Sequence, residues 1–411
     1  MPTPLPGQPG HERYAADFNR CPYLVIWETT RACDLACVHC RAEAQPFRNP
    51  NELSTVEAIL LMEEIARFGE PVVVLTGGDP LKRPDIFGVI RHGADLGLRM
   101  TMTPSGTPLM TPAAIAHAKD SGLKRLAVSL DGSSASRHDA FRQVPGSFYW
   151  SVKMLEQARQ IGLSTQVNTT VSRHTLGDLD AIFDLVQSLG VSLWSVFFLV
   201  PIGRSKPKDA ADEALSGGVD SVDQQVNALD FERVFAKMYE WAKYAPFDIK
   251  STAAPHYRRF VLQQRVRESR AGGQAPQLQP PLGSLRGEDA ARPDGIARAP
   301  RAVNDGNGLV FVSHTGDIYP SGFLPLSAGN VRHRSLVATY REDPLFKRLR
   351  DYDQLLGKCG MCEFRNVCGG SRARAYATTH NLMEAEPLCC YLPPAWVRHL
   401  EKAEAEASPM A

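Results

Sequence analysis

Short apolar runs alternate with amphipathic segments between residues 21 and 200. Six runs are rich in the β-branched and aromatic residues that suit buried strands, at 23–27, 72–75, 99–103, 126–130, 165–171 and 194–200. The helical period predicts helices between them, beginning with one that Ser54 and Glu57 cap and that places Leu60 and Ile65 on its apolar face. Further helices are predicted at 84–96, 112–118, 149–161 and 178–189.

This alternation predicts an α/β fold. Repeated β–α units give parallel strands with right-handed crossovers, and six of them predict a partial (β/α)6 TIM-like barrel. Ligands of such folds bind on the loops at the carboxyl ends of the strands. The loops that follow the second, third and fourth predicted strands read T-G-G-D-P at 76–80, T-P-S-G-T at 103–107 and S-L-D-G at 129–132. One rim of the barrel is therefore expected to carry the site.

Three cysteines, Cys33, Cys37 and Cys40, lie in the loop that follows the first predicted strand. Their spacing is C-x-x-x-C-x-x-C, and no fourth cysteine is close in sequence. Closed iron–sulfur clusters and structural zinc sites use four protein ligands. Three thiolates can hold three irons of a cubane and leave the fourth iron accessible to an outside ligand. The spacing therefore favours an iron–sulfur site with chemistry at the metal.

Two other interpretations of this triad remain open from the residues alone. A zinc site needs a fourth ligand, and His39 lies in the loop at an unfavourable spacing. A disulfide needs an oxidising compartment, but segment 1–13 has no apolar core like that of a signal peptide. No run approaches the ~18 apolar residues of a membrane helix. A cytoplasmic protein without a membrane span is therefore expected.

Composition and charge narrow the possible partners. The chain has 46 basic and 45 acidic residues and a formal net charge of +1, so no overall field attracts nucleic acid or an anionic membrane. The nine cysteines form two groups, one from Cys21 to Cys40 and one from Cys359 to Cys390. This distribution predicts two metal sites in a reducing compartment, with Cys21 as a structural thiol.

The pattern also predicts how the chain is divided. We expect an N-terminal extension at 1–20, a core at 21–245, a bridging segment at 246–302, a small C-terminal iron–sulfur domain at 303–395 and a tail at 396–411. Segments 205–223 and 272–301 have few large apolar residues and are predicted to be mobile insertions.

The motifs of residues 21–204 resemble those of the radical S-adenosylmethionine (SAM) enzymes. C-D-L-A-C-V-H-C matches their cluster loop, with His39 at a position that is usually aromatic. T-G-G-D-P resembles their G-G-E-P element, which recognises the SAM amino group, with Asp79 in place of glutamate. The resemblance implies that the three cysteines hold a [4Fe–4S] cluster whose electron splits SAM and yields a 5′-deoxyadenosyl radical.

The resemblance also implies which residues bind SAM. Arg142, in H-D-A-F-R-Q-V-P-G-S-F, resembles the arginine that pairs with the SAM carboxylate, a role that suits its fork of donors. Ser105 resembles the ribose contact, and the Gly77–Gly78 pair allows the backbone to approach the ligand closely. The implied cofactor-binding residues are His39, Gly77, Gly78, Asp79, Pro80, Ser105, Ser129, Asp131, Arg142, Asn168 and Val200.

The C-terminal cysteines resemble the auxiliary-cluster domain called SPASM. Cys359, Cys362 and Cys368 form C-x-x-C-x-x-x-x-x-C, and Cys389 or Cys390 is the fourth ligand. Four thiolates close a site, so the resemblance implies an auxiliary [4Fe–4S] cluster, with a zinc knuckle as the alternative.

This chain lacks part of the SPASM pattern. The full domain carries seven cysteines and two auxiliary clusters, but this chain has Arg372 and Ser321 at two cysteine positions. Both missing cysteines belong to the same cluster, so one auxiliary cluster is expected.

Segments 249–259 and 310–332 resemble the radical SAM enzymes of tetrapyrrole tailoring, such as the haem b synthase of the alternative haem route. His256 and Tyr257 are then expected near the substrate, His256 as an axial ligand of a porphyrin iron and Tyr257 as a hydrogen donor. The alternative is that both side chains only pack against the auxiliary domain. Ala253 stands where relatives often have an acidic residue.

The resemblance implies an oxidoreductase that modifies a C–H position, with decarboxylation of a tetrapyrrole propionate as the main hypothesis. Reduced ferredoxin or flavodoxin is the expected electron donor. Two alternatives remain: a maturase of a ribosomally made peptide, and a non-enzymatic iron–sulfur carrier or scaffold.

Overall fold

The computed structural model of the chain describes residues 17–206, 224–272, 296, 299 and 302–407. Nearly all of the segments predicted to be mobile insertions, 205–223 and 272–301, lies outside these residues. No helix within the described ranges is long and apolar enough to cross a membrane.

The described residues form one nine-stranded sheet that is mostly parallel. Its order is β7-β6-β5-β4-β3-β2-β1-β8-β9, and only β8 and β9 pair in antiparallel fashion. The order is linear, which is the arrangement of a partial barrel rather than a closed one. The strands are β1 Leu24–Thr30, β2 Val72–Gly77, β3 Arg99–Met102, β4 Arg125–Ser129, β5 Ser164–Val171, β6 Leu193–Phe198, β7 Asp248–Thr252, β8 Leu309–Val312 and β9 Ile318–Tyr319.

Helices connect the parallel strands and continue through the C-terminal region. Ser54 and Glu57 form the predicted capping box of the first helix. One helix that the periodicity did not predict, at Ala135–Arg142, carries Arg142. The helices are α1 Thr55–Ala66, α2 Ile86–Asp95, α3 Pro112–Asp120, α4 Ala135–Arg142, α5 Ser147–Gln160, α6 Leu179–Leu189, α7 Ala228–Tyr244, α8 Tyr257–Arg270, α9 Leu336–Glu342, α10 Pro344–Arg350, α11 Gly357–Gly360, α12 Arg365–Cys368, α13 Arg372–Thr379 and α14 Pro394–Ala407.

The six predicted strands are all present, and three more extend the sheet on both sides. β7 pairs with β6, and β8 pairs in parallel with β1 from Leu24–Leu309 to Trp27–Val312. The sheet therefore includes strands from the segments expected to bridge to, and to form, the C-terminal domain. The C-terminal part of the chain is consequently packed directly against the first strand of the barrel.

The two faces of the strands have different roles. On β1, Val25 and Trp27 are fully buried in the main hydrophobic core, whereas Leu24 and Ile26 face a cavity inside the barrel. This alternation follows from the two-residue period of a strand. The helices cover the outer face, and the inner face is left for a ligand.

Candidate active site

One large cavity occupies the inside of the partial barrel and has a volume of about 720 Å³. Its floor is formed by inward side chains of the strands, and its rim by the loops at their carboxyl ends, as predicted. Residues of the C-terminal region, including Phe311, Phe323 and Ala373, form another wall. The following predicted site residues line it: Cys33, Cys37, His39, Cys40, Gly77, Gly78, Ser105, Ser129, Arg142, Asn168 and Val200.

The thiols of the three-cysteine loop lie at this cavity and are approached by hydrogen-bond donors. The backbone N–H of Leu35 donates to Sγ of Cys33 over 3.3 Å, and that of Ala44 donates to Sγ of Cys40 over 3.4 Å. Nη1 of Arg142 lies 3.7 Å from Sγ of Cys37. Donors of this kind stabilise the negative charge of thiolates. The loop therefore fits a cluster bound through three thiolates.

Burial favours the protonated form of two of these thiols, Cys33 and Cys37, until a metal binds. It raises the pKa of Cys33 to about 11 and also raises the pKa of Cys37. A metal ligand must be deprotonated, so binding of a cluster releases these protons and couples cluster binding to pH.

The loop after β2 packs closely against the backbone at the start of the three-cysteine loop. A Cβ atom on Gly78 would lie 2.4 Å from the carbonyl oxygen of Ala32, and one on Gly77, at φ +145°, would lie 2.2 Å from that of Thr30. The N–H of Asp79 donates to the carbonyl of Ala32 over 2.7 Å. Both glycines are therefore required by the close approach of the two loops.

Asp79 and Pro80 lie behind this loop and do not line the cavity. The carboxylate of Asp79 is fully buried and accepts hydrogen bonds from the N–H of Leu81 and the hydroxyl of Thr107, at 3.1 and 3.0 Å. Burial raises its pKa to about 6. In this structure Asp79 holds together the loops after β2 and β3.

Ser105 links the same two loops to the first cysteine. Its hydroxyl donates to the carbonyl of Gly78 over 2.9 Å and lies 3.2 Å from Sγ of Cys33. Asn168, in mid-strand on β5, pairs in register with Ser129 at the end of β4. The structure thus brings these predicted residues to one side of the cavity.

Arg142 and Asp131 form a buried ion pair beside the cavity. Arg142 donates to one oxygen of Asp131, and the N–H of Thr170 donates to the other over 2.6 Å. Burial by itself raises the pKa of Asp131, but the charge of Arg142, together with the hydrogen bond from Thr170 and other nearby groups, holds that pKa below its usual range. Asp131 itself does not line the cavity. Asp131 instead orients Arg142, and Arg142 lines the cavity.

His39 begins a stack of three rings. Its ring lies 4.2 Å from that of Phe141, which in turn lies 4.9 Å from that of His174, and both pairs are within 12° of parallel. Burial lowers the pKa of His39 to about 3, so its ring is neutral. The aromatic character of this loop position is therefore retained.

Glu28 is a residue of the site that the sequence reasoning missed. It is fully buried at the end of β1 and accepts hydrogen bonds from Arg31, Arg41 and His314, at 3.1, 2.7 and 2.8 Å. Arg41 follows Cys40 directly, so Glu28 ties the cysteine loop to the turn after β8. A charged residue inside an apolar strand was the available signal.

The auxiliary cysteines form a second site. Cys359, Cys362, Cys368 and Cys389 line one small cavity, whereas Cys390 is exposed and does not. Backbone N–H groups donate to two of them, from Gly370 to Cys368 and from Glu386 to Cys359, both over 3.3 Å.

Burial raises the pKa values of all four thiols, that of Cys389 to about 11. In the described part of the chain, no three His, Cys, Asp or Glu side chains lie close enough to hold a single metal ion. Four thiolates that line one cavity are the number that closes a cubane.

The two cysteine positions that this chain lacks are filled by hydrogen-bonded side chains. Arg372 is fully buried and donates to the carbonyls of Leu382 and Glu384, at 2.9 and 2.7 Å. Ser321 donates to Asp305, whose other oxygen accepts from the N–H of Ala373. Ser321 and Asp305 line the large cavity.

The start of α8 forms a wall between the two cavities. Pro255 and Arg258 line the large cavity, whereas His256 and Arg259 line the cavity of the auxiliary cysteines. Tyr257 is buried and lines neither. The structure therefore places His256 with the auxiliary cysteines and not on the large cavity, where a substrate residue was expected.

Arg374 and Glu386 connect this second site to the barrel and were not identified from the sequence. Arg374 is fully buried and donates to the carbonyls of Phe198, Leu199 and Ala253, at 3.2, 3.2 and 2.9 Å. It also pairs with the carboxylate of Glu386 at 3.2 Å. The ends of β6 and β7 are thereby joined to the cysteine segment.

Comparison with known proteins defines the class. The family model described as the Radical SAM superfamily matches residues 27–186. The crystal structure of SuiB from Streptococcus suis, bound to its precursor peptide SuiA, superposes with a TM-score of 0.65 at 14% identity, covering 91% of this chain and 77% of that one. This structural likeness shows the fold. The matched fold and cysteine loop are those of radical SAM enzymes, which use a [4Fe–4S] cluster and SAM.

Two relatives match almost the whole chain. The AdoMet-dependent heme synthase of Methanosarcina barkeri is 38% identical over 90% of this chain and 97% of its own length. That of Nitratidesulfovibrio vulgaris is 39% identical over 90% and 92%. The chain therefore belongs to the radical SAM superfamily, in the family of these heme synthases. It is therefore a radical SAM enzyme.

Proposed function

We propose that this enzyme converts propionate side chains of an iron-coproporphyrin to vinyl groups by oxidative decarboxylation. The observation that carries the proposal is the 38% identity to a heme synthase over 90% of the chain. The cavity of about 720 Å³ supports it, because that volume suits a cofactor-sized ligand. Cationic side chains other than Arg142 line the cavity and suit propionate carboxylates: Arg41, Arg125, Lys250 and Arg258.

We propose that Cys33, Cys37 and Cys40 hold the cluster to which SAM binds. When bound, the cluster and SAM supply a 5′-deoxyadenosyl radical that can remove a hydrogen atom from an unactivated carbon. Arg142, oriented by Asp131, binds the SAM carboxylate, and the residues His39, Gly77, Gly78, Ser105, Ser129, Asn168 and Val200 form the rest of its pocket. Asp79 and Pro80 hold the loop that carries the two glycines.

The proposed reaction removes one hydrogen atom, CO₂ and one electron from each propionate. The hydrogen atom leaves the carbon attached to the ring, the bond to the carboxylate breaks, and a C=C bond forms. The electron needs an acceptor close to the substrate. We propose an auxiliary [4Fe–4S] cluster on Cys359, Cys362, Cys368 and Cys389, which the first turn of α8 separates from the large cavity. Burial lowers the pKa of Arg258 on this wall to about 10. This value is still high enough for Arg258 to remain a cation at neutral pH.

Three further expectations remain part of this proposal. The reductant of the first cluster is a ferredoxin or flavodoxin, and the enzyme works in the reducing cytoplasm, where its thiols can take up iron. The core at 21–245 and the auxiliary domain at 303–395 act as one unit, which the pairing of β1 with β8 supports.

The test uses the full chain, reconstituted without oxygen and supplied with dithionite, SAM and iron-coproporphyrin III. We expect 5′-deoxyadenosine, CO₂ and a porphyrin that has lost CO₂ and two hydrogens per converted propionate. Cys33→Ala should abolish all three products. Formation of 5′-deoxyadenosine while the porphyrin mass and Soret band stay unchanged would contradict the tetrapyrrole substrate but leave the radical chemistry standing.

A further inference from the structure

His256 is a buried polar side chain that lacks a hydrogen-bond partner. It is 1% exposed, and neither Nδ1 nor Nε2 has a partner among the described residues. Its ring is fixed between two phenylalanines of α7, with centroids 5.3 Å from Phe231 and 4.9 Å from Phe235. A buried N–H without an acceptor is unfavourable because it has given up its hydrogen bond to water and gained none in return. Such a fixed and unpartnered group points to a ligand.

The surroundings of His256 indicate which ligand. It shares a cavity with the four thiols of Cys359, Cys362, Cys368 and Cys389. The basic side chains that line this cavity, Arg259, Lys358 and Arg365, are donors and cannot accept a hydrogen bond from the ring.

The one carboxylate in this cavity already has donors. Glu386 accepts hydrogen bonds from the N–H of Ser371 and the N–H of Leu388, at 2.8 and 3.1 Å, and pairs with Arg374. The hydroxyl of Tyr391 donates to Glu363, and the sulfur atoms of the four thiolates and of a bound cluster are the most numerous acceptors that share the cavity with His256.

We propose that His256 donates a hydrogen bond to a sulfur atom of the auxiliary cluster and thereby raises its reduction potential. Hydrogen bonds to sulfur stabilise the more negative, reduced form and are a recognised determinant of cluster potential. Burial lowers the pKa of His256 to about 3, so the neutral ring carries one N–H. His256 stands at the start of α8, in the wall that separates the cluster site from the large cavity.

This role rests on the auxiliary cluster of the proposed function and not on the identity of the substrate. The test therefore uses the full chain with Cys33→Ala, Cys37→Ala and Cys40→Ala, and no porphyrin. Only the auxiliary cluster then remains, with about four irons per chain. Its potential is measured by a redox titration followed by EPR. His256→Phe removes the donor and keeps an aromatic ring against Phe231 and Phe235, and His256→Gln restores an N–H donor.

We expect His256→Phe to make reduction of the cluster about tenfold less favourable, which is about 59 mV for one electron. His256→Gln should recover part of this change, and His399→Phe, on the exposed face of α14, should cause none. Pulsed EPR of the His256 protein should detect a weakly coupled nitrogen that His256→Phe removes.

Several outcomes would overturn the proposal. One is an unchanged potential in His256→Phe together with no nitrogen coupling in the parent protein. Another is a strong coupling typical of imidazole bound to iron, which would make His256 a ligand. If His256→Phe binds no iron, the potential of His256→Gln and the nitrogen coupling of the parent decide. An iron-free parent would remove the auxiliary cluster and this role for His256 together, whatever the porphyrin assay shows.

Discussion

Asp131 holds Arg142 against the three-cysteine loop. The carboxylate is fully buried, and Arg142 reaches from it to within 3.7 Å of Sγ of Cys37. A guanidinium fixed in this way is pre-organised for a carboxylate ligand, because ligand binding does not have to order its side chain.

The first prediction concerns this pair. Asp131→Asn keeps an oxygen for the N–H of Thr170 but removes the charge that orients Arg142. We expect the KM for SAM to rise roughly tenfold or more, since hydrogen bonds to charged groups contribute about 1.5–3 kcal/mol. The measurement is the rate of 5′-deoxyadenosine formation with dithionite at varied SAM concentration. Asp180→Asn, which alters an exposed ion pair, is the control. An unchanged KM would show that Arg142 does not depend on Asp131.

The second prediction concerns which of two adjacent cysteines is the fourth ligand of the auxiliary cluster. The sequence alone left both as candidates. Cys389 lines the auxiliary cavity, and Cys390 is exposed. Cys389→Ser should reduce the iron content from about eight to about four per chain, as expected for the loss of one cubane. Cys390→Ser should leave about eight. The reverse result would assign the fourth ligand to Cys390.

Local patterns predicted the six strands of the core and the loops that end them. They did so because a buried strand and a capped helix are recorded in neighbouring residues. One position on the predicted apolar face of α1 was wrong: Leu60 is 56% exposed, whereas Ile65 is buried as expected and Leu61 and Met62 are buried as well. The run L-L-M offers apolar residues on adjacent faces, and the period alone cannot choose between them.

Long-range contacts were beyond the sequence pattern. β8 lies beside β1 although Leu309 and Leu24 are far apart along the chain, and nothing local records that pairing. The sequence pattern also does not record the contact of Glu28 with His314, because the two residues are far apart along the chain. The resemblance of segment 249–259 to tetrapyrrole-tailoring enzymes linked His256 to the substrate, but which cavity it lines depends on how α8 packs.

The third prediction is a pH dependence of stability that comes from Asp79. Burial raises its pKa from 3.8 to about 6. An acid whose pKa is higher in the folded state binds its proton more tightly there. Its stabilising contribution is therefore complete below pH 3.8 and is lost as the pH rises through about 6.

The Asp79→Asn variant removes this titration. Relative to it, the parent protein should lose about 1 kcal/mol of unfolding free energy between pH 5 and pH 8. Thermal unfolding of both proteins, measured without oxygen across this range, gives the difference. Only the slope matters, since the substitution also alters the hydrogen bonds to Leu81 and Thr107. Parallel curves for the two proteins would contradict a raised pKa for Asp79.

The fourth prediction concerns the buried connection between barrel and auxiliary site. Arg374→Met leaves the carboxylate of Glu386 buried without its cation, and frees the carbonyls of Phe198, Leu199 and Ala253. Removing one partner of a buried ion pair costs about 3–5 kcal/mol. We expect a loss of that size in the free energy of unfolding, measured by denaturant titration of the full chain.

The double variant Arg374→Met with Glu386→Gln separates the charge from the packing. A neutral glutamine does not leave a buried charge uncompensated, so the double variant should be more stable than Arg374→Met alone, with a coupling energy of about 0.5–3 kcal/mol. Arg67→Met, at an exposed ion pair with Glu64, should cost less than about 1 kcal/mol and is the control. Additive losses in the double variant would mean that Arg374 acts through the three carbonyls and not through Glu386. The iron content of each variant then reports whether the connection also holds Cys359, whose Sγ accepts from the N–H of Glu386.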